Sequence, residues 1–136
     1  MAYKKESFVD YYHVLNINKE LSTQEIKNIL IAEQKKWSQR TNTPSDSKIM
    51  KAAQETLDIV NAAMRTIGNK NKRPAYDKEW EKRKAQGMLE TEKTVEAANI
   101  VERAVQYYQE GNLKLAEKFA REALQTDGNN ITAYDV

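Results

Sequence analysis

The sequence lacks most of the residue types on which enzyme chemistry depends. Its 136 residues include no cysteine, so disulfides, thiolate metal sites and cysteine nucleophiles are excluded. A Gly-rich phosphate loop and paired acids at metal-ligand spacing are also missing. The single histidine, His13, has no second ligand or catalytic partner in the sequence, and we assign it a structural or solvent-exposed role. We therefore predict that the protein is not an enzyme and that it uses no cofactor or metal.

Long apolar runs are missing as well. No run approaches the roughly 20 apolar residues that a membrane span requires, and residues 1–6 lead into no apolar signal-peptide region. The hydrophobic content of 40%, at regular spacing, argues against disorder. We expect a soluble, cytoplasmic protein with no membrane partner, and the sequence leaves its oligomeric state open.

Charge divides the chain into two parts. Residues 1–90 contain 17 Lys and Arg against 12 Asp and Glu, whereas residues 91–136 contain 5 against 8. Opposite net charges within one chain indicate two modules. Because Gly87, Met88 and Leu89 form a plausible boundary, we predict one module over residues 1–88 and a second over 89–136.

A helix followed by a polar turn is predicted from Ser22 to Arg40. Ser22 and Glu25 have the spacing of a capping box, in which each side chain bonds the backbone amide of the other residue. Apolar residues then recur at three- and four-residue spacing on one side: Ile26, Ile29, Leu30, Ala32 and Trp37. Short polar residues and Pro44 follow, and both disfavour helix. We therefore predict that residues 38–44 form a turn.

A second long helix follows this turn. Its apolar residues, spaced as in a coiled-coil seam, are Met50, Ala53, Leu57, Val60, Met64 and Ile67, with Ile49 and Ala63 widening the stripe. This seam predicts antiparallel packing against the first long helix and a helix end at Gly68. Dimerisation through the seam is the alternative, but we favour the intramolecular pair because a matching apolar face lies just upstream.

Short helices are predicted on either side of this pair. Asp10 is placed as the N-cap or first-turn acid of a short apolar segment, and Pro74 suits the first position of a later helix. That later helix contains Tyr76 and Trp80 one turn apart. We expect both rings to pack on the long hairpin.

These motifs together resemble the N-terminal domain of DnaJ, the J domain. The matching motifs are Asp10-Tyr11-Tyr12-x-x-Leu15, Ser22-x-x-Glu25-Ile26-Lys27, the seam through Leu57, Val60, Ala63 and Ile67, and Lys72-Arg73-x-x-Tyr76-Asp77. The resemblance covers about residues 8–80. It implies a short helix, a long antiparallel pair and a short fourth helix, and a role beside a DnaK-type heat-shock ATPase.

The chain departs from this family at its functional centre. The family carries a His-Pro-Asp tripeptide after the second helix, where this chain has Ser38, Gln39 and Arg40. Replacing an acid with a cation at a contact repels the cation it once met, so we expect no stimulation of ATP hydrolysis. We also expect Arg40 to stack on Trp37. The partner-binding residues that the resemblance implies are Lys27, Ile31, Lys35, Lys36, Ser38, Gln39 and Arg40.

The second module resembles a tetratricopeptide repeat over about residues 97–130. The matching residues are Tyr107, Tyr108, Gly111, Asn112, Ala116, Ala120, Ala123, Leu124, Asp127, Asn129 and Asn130. The pattern predicts a helical hairpin that breaks at Gly111-Asn112. One such repeat cannot bury its own apolar face. We expect residues 131–136 to begin a further repeat, with docking on the first module or pairing with a second copy as alternatives.

The sequence therefore predicts an all-helical protein-binding module, a J-like cochaperone or scaffold adaptor. The alternative function is nucleic-acid binding through the basic segment between Arg65 and Lys84. Its cations are Arg65, Lys70, Lys72, Arg73, Lys78, Lys82, Arg83 and Lys84. Because Glu79 and Arg83 are one helical turn apart, a solvated helix with local ion pairs explains much of this charge.

Overall fold

The computed structural model describes residues 8–42 and 47–129, and these residues form helices without any strand. The helices are α1 (Tyr11–Val14), α2 (Thr23–Asn42), α3 (Ser47–Thr66), α4 (Arg73–Ala85) and α5 (Glu92–Asn129). The all-α prediction is confirmed. The first four helices also have the predicted order of one short, two long and one shorter helix.

The chain divides into two units, residues 1–104 and residues 105–136. The first unit extends beyond the boundary predicted at residue 88, because it includes the start of α5. In the second unit, the described residues 105–129 belong entirely to α5. The predicted turn residues 43–46 and the proposed start of a further repeat, residues 131–136, lie outside the described residues.

Helix α2 begins with the predicted capping box. The Ser22 amide donates to Glu25 Oε1 at 3.2 Å, and the Glu25 amide donates to Ser22 Oγ at 3.1 Å. Two backbone donors that would otherwise lack partners in the first turn are thereby satisfied. The local sequence alone therefore fixes where α2 begins.

Helices α2 and α3 pack against each other, and only residues 43–46 separate them. Two 20-residue helices joined so closely can pack side by side only in antiparallel orientation. Their fully buried side chains include Ile26 and Leu30 from α2 and Val60 from α3, and Ile67, directly after α3, is fully buried as well. The intramolecular pairing predicted from the seam is confirmed.

Burial varies along the seam of apolar residues predicted for α3. Met50 is 37% exposed, and Leu57 and Met64 are half-buried. Gly68, just after α3, does not have the left-handed backbone of a glycine cap, since Gly87 is the glycine with positive φ among the described residues. A Cβ at Gly68 would lie 2.8 Å from the carbonyl oxygen of Met64. The helix end therefore depends on close backbone approach at Gly68.

The predicted break at Gly111-Asn112 is wrong. Helix α5 continues through both residues and is 38 residues long, so the described residues form one helix where a hairpin was expected. A glycine inside a helix costs only about 1 kcal/mol relative to alanine. Good helix formers on both sides are sufficient to offset that cost.

The predicted turn at Ser38-Gln39-Arg40 is also wrong. Helix α2 continues to Asn42, so all three residues are helical. Gln and Arg are good helix formers, and the Thr41 hydroxyl donates to the Ser38 carbonyl at 2.7 Å, a bond that a helix accommodates. The polar composition of this stretch was therefore misinterpreted as a turn signal.

Candidate partner-binding surface

One side of α2 presents cationic and apolar side chains to solvent. Lys27, Ile31, Lys35 and Ser38 are exposed, and Ile31 is 47% exposed. At about 100° per residue these four positions fall within about 80° of one another around the helix axis. We call them the outer face of α2. Their centre lies about 120° around the helix axis from the buried side that contains Ile26 and Leu30.

Three of the predicted partner-binding residues, Lys36, Gln39 and Arg40, are not part of this outer face. Arg40 stacks on Trp37, with its guanidinium carbon 4.3 Å from the ring centroid, and the Lys36 ammonium lies 5.6 Å from the same centroid. The Lys36 ammonium also pairs with Glu33 at 3.0 Å. The predicted stack of Arg40 on Trp37 is confirmed, and it assigns Arg40 a structural contact.

Trp37 itself is part of the core. It is 3% exposed, and its indole Nε1 donates to Glu33 Oε2 at 3.0 Å. Glu33 thus bonds both the indole and Lys36, so the last turns of α2 carry a local network around one buried ring. A guanidinium over an aromatic face contributes about 0.5–1 kcal/mol at a partly exposed site.

The three residues at the family's tripeptide position do not form one patch. Ser38 and Gln39 are exposed and Arg40 is half-buried. Since consecutive helical residues differ in direction by about 100°, the hydroxyl, the amide and the guanidinium project to different sides. The structure thus brings Ser38 together with Lys27, Ile31 and Lys35, and it separates Lys36 and Arg40 from them.

Sequence reasoning missed a second set of contacts, which joins residues 8–12, helix α4 and the start of α5. We call it the polar junction. The Asp10 carboxylate accepts from the His13 amide at 3.2 Å, as the predicted N-cap, and also from the Trp80 indole at 2.9 Å. The Asp10 amide donates to Thr94 Oγ1 at 2.9 Å. One 5% exposed residue thereby connects three elements.

The aromatic residues of α4 lie on this junction rather than on the long hairpin as predicted. Tyr76 stacks on Phe8 with ring centroids 5.3 Å apart, and Trp80 meets the edge of Tyr12 at 6.0 Å. The Tyr76 hydroxyl accepts from the Tyr11 amide at 3.0 Å and donates to the Val9 carbonyl. The rings thus hold the N-terminal segment in place.

Arg73 is the hub of the α4 side of the junction. Its Nε lies 3.1 Å from the Tyr12 hydroxyl and 3.2 Å from Asp77 Oδ2. The other guanidinium nitrogens donate to Thr23 Oγ1 at 3.0 Å and to the Lys19 carbonyl at 2.7 Å. The planar guanidinium presents several N–H donors in a fixed arrangement, so a single arginine can bond several acceptors at once. Arg73 therefore connects α4 to α1 and to the start of α2.

Burial raises the pKa of the Tyr12 hydroxyl, and its hydrogen bond to Asp77 raises it further. Burial likewise raises the pKa of Tyr76. Low dielectric surroundings disfavour a phenolate. Both tyrosines are therefore neutral hydrogen-bonding groups in the folded protein.

The start of α5 closes the junction through two buried threonines. Thr91 Oγ1 accepts from the Thr94 amide at 3.0 Å, as an N-cap does, and donates to the Phe8 carbonyl at 2.7 Å. Phe8 and Thr91 are 83 residues apart in sequence. In the sequence, Thr91 could be recognised as a capping residue of a helix. Nothing in the sequence pattern shows that its hydroxyl bonds the distant Phe8 carbonyl.

The basic segment between Arg65 and Lys84 is only partly available to a ligand. Arg73 is engaged in the junction, and Arg83 pairs with Glu79 at 3.1 Å and lies 4.4 Å from the Phe8 ring centroid. The predicted ion pair of Glu79 and Arg83 is confirmed. The exposed cations of the segment are Arg65, Lys70, Lys72, Lys78, Lys82 and Lys84.

Comparison with known proteins adds no assignment. No protein-family model, curated protein or solved structure matches this chain. Among the described residues, no helix has both the length and the hydrophobicity of a membrane span.

Proposed function

We propose that this chain is a cytoplasmic protein-binding adaptor of J-like type, which contacts its partner through the outer face of α2. The observation that carries the proposal is the exposure of Ile31 between two exposed lysines on a single helical face. A central apolar residue supplies buried area at an interface, and flanking charges steer encounter and select partners. A DnaK-type chaperone is the partner class that the sequence resemblance favours.

The adaptor does not stimulate ATP hydrolysis in such a partner. Stimulation in the J-domain family depends on a histidine, a proline and a carboxylate presented together. Here Ser38, Gln39 and Arg40 lie within α2, and Arg40 stacks on Trp37. A cation where the partner expects an acid weakens a close contact by several kcal/mol, and each 1.4 kcal/mol is tenfold in affinity. The exposed lysines can therefore support binding to the partner without stimulating its ATP hydrolysis.

A single-turnover ATPase assay tests this proposal. A DnaK-type chaperone is mixed with the full chain, and hydrolysis and binding are followed across a salt series. We expect binding that weakens with added salt and no acceleration of hydrolysis. Clear acceleration would contradict the adaptor proposal, and the lack of any binding at low salt would exclude this class of partner.

Charge-reversal variants locate the surface. Lys27→Glu with Lys35→Glu should abolish binding, whereas the matched pair Lys78→Glu with Lys82→Glu should leave it unchanged. All four lysines are exposed helical residues, so the two variants alter net charge equally. Equal loss of binding in both would assign the interaction to net charge rather than to the outer face.

A further inference from the structure

The ion pairs of α4 leave most of its lysines uncompensated. The helix and the turn before it, residues 69–85, contain three acids, and each of them pairs with a cation. The pairs are Asp77 with Arg73 at 3.2 Å, Glu79 with Arg83 at 3.1 Å and Glu81 with Lys19 at 2.8 Å. All three cations lie over aromatic rings of the polar junction. The acids therefore neutralise cations that the fold already uses.

Other exposed lysines of this segment have no such partner. They are Lys70 and Lys72 in the turn before α4, and Lys78 and Lys82 within α4. Among the described residues, no acid forms an ion pair with any of them. The Lys72 and Arg73 amides both bond the Asn69 carbonyl, at 3.1 and 2.8 Å, which holds the turn against the start of the helix. The four lysines thus form one positive segment.

The two lysines within α4 lie on the side of the helix that faces away from the junction. At about 100° per residue, the mean direction of Lys78 and Lys82 is about 160° around the axis from that of Tyr76 and Trp80. The other exposed residues on this side are Pro74, Ala75 and Ala85. We call these five residues the outer face of α4.

The composition of the outer face of α4 decides which class of ligand it suits. Protein interfaces depend on aromatic or arginine anchors that become buried, and the five residues include neither. A helix that lies on a membrane needs large apolar side chains that enter the lipid, and one proline and two alanines do not supply them. The remaining groups are ammonium ions, which bind phosphate as compact point charges. Such groups in succession suit a polymer of phosphates.

The aromatic rings of α4 favour a duplex over a single strand. Proteins that bind single strands stack the bases on exposed aromatic side chains. Tyr76 and Trp80 instead contact Phe8 and Tyr12 in the junction. The outer face of α4 also lacks the arginine, asparagine and glutamine side chains that read base edges. Its contacts are therefore limited to the phosphate backbone.

We propose that the outer face of α4, together with Lys70 and Lys72, binds the phosphate backbone of double-stranded nucleic acid without sequence preference. Each ammonium group neutralises a phosphate, and the release of the condensed counterions provides the affinity. The outer face of α2 takes no part in this binding, so the proposal is independent of the proposed adaptor function.

Fluorescence anisotropy of a short labelled DNA duplex, titrated with the full chain across a salt series, tests this binding. With four phosphate contacts, the plot of log affinity against log salt should have a slope of about −3.6. The affinity should then fall about 150-fold between about 50 and 200 mM salt. Lys78→Gln with Lys82→Gln removes two contacts, so the slope should be about −1.8 and the loss about 12-fold.

Lys48→Gln with Lys51→Gln is the matched control. Both residues are exposed lysines of α3, and they lie about 25 Å along that helix from its end at Thr66. The control changes the net charge equally and should keep the slope of the unmodified chain. Circular dichroism of each variant shows whether the helices are still formed.

Each outcome supports or overturns the proposal. No complex at low salt, or an unchanged slope in Lys78→Gln with Lys82→Gln, would overturn it. An equal change in the control would assign the binding to net charge and would overturn the site. A single strand of the same length and vesicles of phosphatidylglycerol are titrated in parallel. Tighter binding to the single strand would overturn the assignment to a duplex, and binding to the vesicles alone would make a membrane surface the partner.

Discussion

The α2–α3 hairpin and the polar junction stabilise the first unit in different ways. The hairpin buries aliphatic side chains such as Ile26, Leu30 and Val60, whose contribution is non-directional and grows with buried area. The junction instead uses directed hydrogen bonds through Asp10 and Thr94. A hairpin of this kind tolerates changes of shape better than loss of volume, whereas a junction of this kind fails when a single donor or acceptor is lost.

The difference also decides what each region does for the chain. The hairpin presents the outer face of α2 on a rigid support, since the buried side of the same helix is fixed against α3. The junction fixes where the N-terminal segment, α4 and α5 meet. Loss of the junction is therefore expected to release these elements while the hairpin stays paired.

The largest effect should come from removing the α5 side of the junction. A chain ending at residue 90 loses Thr91 and Thr94, which leaves the Phe8 carbonyl and the Asp10 amide without partners, whereas a chain ending at residue 104 retains both threonines. We expect the shorter chain to be less stable by about 4 kcal/mol or more, since each orphaned group costs about 1–3 kcal/mol and buried alanines are lost as well. Urea unfolding of the two truncated chains measures this. Equal midpoints would mean that the junction contributes nothing.

The next largest effect concerns the hairpin. Leu30→Ala should lower the free energy of unfolding by about 2–5 kcal/mol, because Leu30 is fully buried and its removal leaves a cavity. Ile31→Ala, one residue further along the same helix, should change it by no more than about 0.5 kcal/mol because Ile31 is exposed. Thermal unfolding followed by circular dichroism compares them. Similar losses in both variants would show that the two sides of α2 are wrongly assigned.

A single hydroxyl should have a smaller effect in the junction. Thr94→Val preserves shape but removes the acceptor of the Asp10 amide, so we expect a loss of about 1–3 kcal/mol. Thr94→Ser keeps the hydroxyl and is the matched control. Urea unfolding should therefore rank the serine variant well above the valine variant, and the reverse order would indicate that methyl packing matters more than the bond.

The smallest effect is a dependence on alkaline pH. The pKa of Tyr12 is raised in the folded protein, while the unfolded chain titrates near the ordinary value of about 10. The contribution of this hydroxyl to the free energy of unfolding is therefore fully present below about pH 10. It declines as the pH rises further, because the unfolded state releases its proton first. In Tyr12→Phe the decline should be shallower, whereas Tyr107→Phe, outside the junction, should match the unmodified protein. The measurement is the unfolding midpoint of each protein at a series of pH values between pH 8 and pH 11. Parallel curves for Tyr12→Phe and the unmodified protein would contradict the prediction.

The hairpin was predictable because its signals are local. Ser22 and Glu25 are three residues apart, and the α3 seam repeats every few residues, so one short window contains each complete pattern. The stack of Arg40 on Trp37 was predictable for the same reason. The extension of α2 through residues 38–42 was not predictable. The turn preference of its short polar residues and the helix preference of Gln39 and Arg40 are similar in strength.

The junction was not predictable because its partners are distant. Thr94 meets Asp10 across 84 residues, and no sequence pattern links a capping threonine to a particular remote amide. Tyr76 and Trp80 pack as predicted, but they pack on the junction rather than on the long hairpin. The spacing of the two rings shows that they share one side of α4, and it does not identify the neighbour on that side. For the outer face of α2, the family resemblance implied its members among seven candidate residues. The contacts of Lys36 and Arg40 then showed that those two residues lie away from it.

The positions of the two tryptophans give each region its own optical reporter. Trp37 is buried at the end of the hairpin beneath Arg40, whereas Trp80 belongs to the junction, where its indole is bonded to Asp10 and flanked by Lys19 and Lys84, each at 5.1 Å. Replacing either indole with phenylalanine leaves a single tryptophan, which can be excited selectively over the seven tyrosines. Fluorescence from Trp80 alone then follows the junction, and fluorescence from Trp37 alone follows the hairpin. If the junction opens first on heating, the two emission curves will separate, and the order in which this small protein comes apart can be observed without any attached dye.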